Sequence, residues 1–196
     1  MTALSTWIVA TIAAMGYGGV VLMMAAESAC VPLPSEVIMP FSGYLVASGR
    51  FDLNLVALAG ALGCLLGSAI AYHLGATGGR WVFERYGRYF LISSHELRIA
   101  EEFFNRWGAP AVFFSRLLPV IRTFISFPAG VARMRLVPFV FYTLTGSYFW
   151  CLGLAYVGRQ LGRHWQSIGP YFHRFDGLMV IAMAVAALWM VWRRLS

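Results

Sequence analysis

The chain has 196 residues, 60% of them hydrophobic and 12% charged, with 15 Lys+Arg against 8 Asp+Glu and a formal charge of +7. Soluble domains carry about twice that share of charge, so an ordinary soluble domain, a disordered chain and a disulfide-stapled mini-domain are excluded. Every basic residue is arginine and the arginines flank apolar runs, which points to the flanks of membrane helices and not to nucleic acid.

In chain order, Leu4 to Ala26 is uncharged and exceeds the ~20 residues a bilayer span needs. No basic segment precedes it, so it reads as a retained membrane helix and not as a signal peptide. Residues 28–49 follow, with Pro32, Pro34, Pro40 and, between them, Glu36. Leu53 to Gly79 is a second uncharged span. Residues 80–107 mix arginines and glutamates with Phe103, Phe104 and Trp107, the pattern of an amphipathic helix along the membrane surface. Residues 109–130 are apolar yet hold Arg116 and Arg122, broken by Pro119 and Pro128. Leu136 to Gly158 is a third span, residues 164–176 a short surface link, and residues 175–196 a fourth, C-terminal span.

The pieces 28–49 and 109–130 are too broken for simple spans. Irregular backbone survives at membrane depth only inside protein or beside a watery cavity, so each is predicted to be a re-entrant helical hairpin. The fold class is therefore all-α and polytopic: about four transmembrane helices, two hairpins and one interfacial helix, in a single domain over 1–196. The segments after the hairpins are alike. Gly60, Gly67, Ala71-Tyr72 and Gly79-Arg80 in one answer Gly146, Gly153, Ala155-Tyr156 and Gly162-Arg163 in the other. A hairpin followed by a span, given twice, is the trace of an internal-repeat transporter, although glycine is also common in membrane helices generally.

With four spans and two hairpins both termini share a side. That side collects Arg80, Arg85, Arg88, Arg98, Arg106, Arg133, Arg135, Arg193 and Arg194, against Arg50, Arg159, Arg163 and Arg174 opposite. The positive-inside rule then places both termini in the cytoplasm, and the two hairpins enter from opposite faces.

Glu27, Glu36, Arg116 and Arg122 are the charges left in apolar sequence. Each costs about 2.5–3.5 kcal/mol at a helix centre, and such residues mark substrate or ion paths or, failing that, buried Glu–Arg pairs that pin helices together. A guanidinium stays charged and presents a flat fork of donors that fits phosphate or carboxylate. Arg116 and Arg122, six residues apart across Pro119, are candidate ligands for an anionic lipid, a polyprenyl phosphate or a phospholipid, whose tail stays in the bilayer. Apolar surroundings favour a neutral glutamic acid and a nearby arginine favours the carboxylate, which makes Glu27 and Glu36 candidate proton carriers and parts of the same site.

The three cysteines, Cys30, Cys64 and Cys151, have no metal-ligand spacing and read as packing residues. His73 reads as a packed side chain. No histidine cluster, activated nucleophile or metal-binding carboxylate set is present, so no enzyme, metal or cofactor is expected. A proton-coupled antiporter of small cations or drugs, a broader phospholipid scramblase and a non-transporting membrane organiser stay open beside the lipid-phosphate reading, as does a homo-oligomer.

Glu27-x4-Pro32-x-Pro34-x-Glu36 followed by Gly43 resembles the first signature of the DedA family (the VTT or SNARE-associated type). Phe113-x2-Arg116-x2-Pro119-x2-Arg122 followed by Ala129-Gly130 resembles its second, and Leu66 to Gly75 resembles the helix after the first hairpin. The likeness covers roughly residues 20–165. It implies a bacterial inner-membrane protein with two facing re-entrant hairpins that flips undecaprenyl phosphate or other phospholipids, driven by proton-motive force, with Glu27, Glu36, Arg116 and Arg122 as the functional set. One position departs: many members carry an acid after the glycine of the third signature, where this chain has Ser68 after Gly67. Asp52, just beyond the first hairpin, is the candidate substitute, but it reads as a loop acid paired with Arg50.

Overall fold

A computed structural model of the protein describes residues 3–29, 31, 33–78, 107–108, 110–118 and 121–162. The interfacial helix expected over 80–107 (Trp107 apart), the link 164–176 and the C-terminal span lie outside them. All regular structure among the described residues is helical: α1 (Ala3–Met15), α2 (Tyr17–Ser28), α3 (Ser35–Ala47), α4 (Leu53–His73, continuing as a wider π turn over Leu74–Gly78), α5 (Pro110–Arg116), α6 (Ile121–Phe124), α7 (Ser126–Val131) and α8 (Leu136–Leu161).

Two of these, Leu53–Gly78 and Leu136–Leu161, are long and apolar enough to cross a membrane, at 26 residues each. At about 1.5 Å per residue they reach some 39 Å, beyond the ~30 Å hydrocarbon core. Helix α4 is two-faced. Leu55, Leu58, Leu62, Leu66, Ile70 and Leu74 form an exposed stripe, while Gly60, Gly63, Cys64, Gly67 and Ser68 are buried on the other side. In water such a stripe would drive aggregation; against acyl chains it is the natural surface, and the small residues behind it let other helices come close. Asp52 caps α4 by accepting from the backbone N–H groups of Asn54 and Leu55 at 2.8 and 3.0 Å. It serves as an N-cap, not as a partner of Arg50.

The expected first span, Leu4 to Ala26, is not one helix. Gly16 has φ 63°, a left-handed conformation that glycine adopts without strain. The chain folds back there: a Cβ on Gly19 would come within 2.9 Å of the carbonyl oxygen of Thr11, eight residues earlier and about 12 Å away along a straight helix. The resulting helices of 13 and 12 residues are each only about 20 Å long. The four-span count, and the orientation that used it, lose their first member. Seven of the nine arginines on the side named cytoplasmic also lie outside the described residues.

Residues 29–34 separate α2 from α3 in the chain. Gly63 and Gly67 of α4 approach Val21 and Ala25 of α2 in matching order, and Gly158 and Gly162 of α8 approach Pro40 and Ala47 of α3. Gly60 lies at Cys151 and Tyr72 at Phe139, so α4 and α8 run in opposite directions. It follows that α2 and α3 also oppose each other and form a helical hairpin, longer at its start than the 28–49 boundaries. The other Pro-broken piece is α5, a break at Leu117 and Leu118, then α6 and α7.

Both long helices are gripped in the same way. Helix α4 packs on the first arm of the preceding hairpin, α2, and on the last helix of the other piece, α7; α8 packs on α5 and on α3. At both crossings glycines face backbone reciprocally. Gly43 lies on the Ala155 carbonyl and Gly158 on that of Pro40; Gly130 lies on the Tyr72 carbonyl and Gly75 on that of Phe127. No Cβ fits at any of the four.

Candidate functional site

The ends of α2 and α6 and the middle of α4 and α8 meet in the interior. Glu27, in the last turn of α2, and Arg122, in α6, form an ion pair with Oε2 and Nη2 2.8 Å apart. Arg122 is 2% exposed and Glu27 5%. The same Nη2 donates to Cys64 Sγ at 3.6 Å, and the guanidinium lies over the Trp150 ring, 5.3 Å from its centroid, a favourable placement for a cation on an aromatic face.

Arg116, at the end of α5, is 1% exposed. It donates from Nη1 to the Arg122 carbonyl at 2.9 Å and from Nη2 to Ser68 Oγ and Ser126 Oγ, each at 2.7 Å. All three acceptors are neutral, and no carboxylate lies within ion-pair distance of it among the described residues. Gly146 makes room for its stem: a Cβ there would come within 2.8 Å of the Arg116 Cβ.

Three of the four expected residues, Glu27, Arg116 and Arg122, are thus brought together. Glu36 stands apart. It is half-buried in the first turn of α3, accepts from Ser35 Oγ at 3.3 Å, and forms no ion pair among the described residues. Two buried Glu–Arg pairs were the alternative; one exists.

Several neighbours escaped the sequence reading. Ser68, the position that departs from the family pattern, is a direct partner of Arg116. Cys64 and Cys151, read as packing residues, are buried, and Cys64 touches Arg122. Trp150 is the clearest omission. It sits mid-span in α8, where no interfacial belt accounts for it, and that position was the available signal. His73 is exposed, with an edge contact to Tyr72, and is not packed as expected among the described residues. The paired tyrosines differ: Tyr72 is buried and donates to the Met134 carbonyl, whereas Tyr156 is exposed and accepts from Gln160. Among the described residues no cluster of three His, Cys, Asp or Glu side chains could hold a metal.

The model of the VTT domain matches residues 33–160. A protein called undecaprenyl phosphate transporter A, from Bacillus subtilis, is 34% identical over 178 residues, covering 90% of this chain and 88% of that one. Its namesake in Staphylococcus aureus is 26% identical over 91% of this chain and 90% of its own. A Lactococcus lactis protein called alkaline phosphatase-like is 30% identical over 87% and 82%. No solved structure matches. With more than half the chain matched by the family model and a relative above 30% identity along most of both lengths, the chain belongs to the VTT domain, or DedA, family of membrane proteins.

Proposed function

We propose that the protein moves a lipid phosphate, undecaprenyl phosphate by analogy with its relatives' names, between the leaflets of a bacterial inner membrane. The observation that carries this reading is Arg116. A buried guanidinium with only neutral hydrogen-bond acceptors among the described residues is a costly arrangement that a folded protein retains where an anion is to be met. Arg122 lies beside it, and its fork can hold a phosphate once Glu27 lets go.

In the described conformation the guanidiniums are closed off by the protein. Transport then needs the two Pro-broken pieces, which we take to be re-entrant hairpins from opposite faces, to part alternately toward each leaflet. Glu27 and the phosphate compete for Arg122. A glutamate freed from its arginine in apolar surroundings is ready to carry a proton, which links lipid movement to proton-motive force. Glu36, nearer the surface, is a relay candidate for that proton. We take the end bearing Arg133 and Arg135 to be the cytoplasmic one, as the arginine count along the whole sequence favours.

The test is reconstitution of the full chain in liposomes with a fluorescent polyprenyl phosphate. The protein is expected to speed exchange between leaflets, and Arg116→Gln to return it to the rate of protein-free vesicles with undiminished inserted protein. Wild-type exchange no faster than that of empty vesicles overturns the reading. In the same assay Arg122→Lys, which keeps the charge and loses the fork, is expected to cost more than Glu36→Gln; the reverse order favours an antiporter of cations.

A further inference from the structure

Four buried side-chain atoms, two of them on the arginines, have no hydrogen-bond partner among the described residues: Arg116 Nε, Arg122 Nη1, Thr143 Oγ1 and Trp150 Nε1. All four carry hydrogens, and three of them can only donate. Native interiors hold few such atoms and they are rarely neighbours. Here helical spacing puts Thr143 and Trp150 on the face of α8 that meets the two arginines. Thr143, Gly146, Ser147 and Trp150 recur at three- and four-residue spacing and so share one face of α8. Gly146 on that face meets Arg116, and the Trp150 ring underlies Arg122. Thr143 is fully buried. Glu27, the nearby carboxylate, is already engaged on the other nitrogen of Arg122.

A cluster of donors lacking acceptors calls for a group that only accepts and has several oxygens. We infer that α8 supplies the second half of the anion cradle, with Trp150 Nε1–H and Thr143 Oγ1–H donating to the phosphate that Arg116 and Arg122 neutralise. This rests on the lipid-phosphate reading and adds two headgroup-binding residues to it. Trp150 then has two tasks, its ring orienting Arg122 and its N–H reaching the ligand. Together the two residues favour a phosphate over a carboxylate, which has fewer oxygens to share among the donors.

The test uses the full chain in nanodiscs, with a fluorescent prenyl monophosphate and a prenyl carboxylate of equal length as probes. Trp150→Phe keeps the ring and removes the N–H; Thr143→Val keeps the shape and removes the O–H. Each is expected to weaken phosphate binding about tenfold, the scale of one hydrogen bond to a charged group, while carboxylate binding and unfolding temperature change little. The selectivity ratio is the deciding readout, since a merely structural role would move both probes alike. Variants that bind the monophosphate as wild type, while Arg116→Gln fails to, overturn the inference and leave the transport reading intact. If Arg116→Gln also binds normally, both fall. A titration with inorganic phosphate separates the sources: competition at equal concentration means that the cradle holds free phosphate, and competition only at large excess means that it holds the lipid head.

Discussion

The two Pro-broken pieces share a scaffold and differ in chemistry. Each sends its last helix across the long helix of the other half, glycine against backbone, and each rests its first helix on its own half's long helix. The first piece carries carboxylates, Glu27 at the end of α2 and Glu36 at the start of α3; the second carries guanidiniums, Arg116 and Arg122, on either side of its break. The first is built of helices of 12 and 13 residues, the second of helices of 7, 4 and 6. A repeated backbone frame thus delivers unlike charges to one point. The frame decides where the ends meet, and a handful of side chains decides what they do there.

The largest effect should come from unbalancing that meeting. Arg122→Ala leaves the Glu27 carboxylate buried without a partner and is expected to cost about 3–5 kcal/mol, read as loss of folded protein in thermal unfolding. Glu27→Gln with Arg122→Gln should recover most of it. If the single variant is as stable as wild type, the pair does not hold the two pieces together. If the double variant also transports normally, the pair is a pin and not part of the path.

The likeness of the two crossings can be tested next. Gly43→Ala and Gly130→Ala each press a methyl group onto a carbonyl of the facing helix and should each destabilise by about 1–3 kcal/mol. Equal losses support two equivalent crossings. A loss confined to one would show that only one half depends on backbone contact.

The smallest effect marks a real asymmetry. Helix α4 begins at a capping aspartate, whereas α8 begins after Arg135 with no side-chain cap. Asp52→Ala should cost about 1 kcal/mol, measured by unfolding, without altering transport. A large transport defect at unchanged stability would instead give Asp52 the ion-coupling role that the cap displaces.

The two long spans were legible in composition alone, because an uncharged run of over twenty residues has few stable places outside a bilayer. So were the charged residues at the centre, because arginine and glutamate are too costly in apolar surroundings to be incidental. The break at Gly16 was not, since a glycine in an apolar run fits a straight helix equally well until neighbours fold the chain back. Nor were Ser68, Cys64, Thr143 and Trp150: their spacing on α4 and α8 shows which face they share, but not which side chain lies opposite. Which glutamate pairs with which arginine, and that Arg116 pairs with no acid among the described residues, depends on contacts between residues up to 95 positions apart. Periodicity and hydropathy act along the chain and could be read from it; the matching of charges across helices comes from packing, and only the tertiary structure decided it.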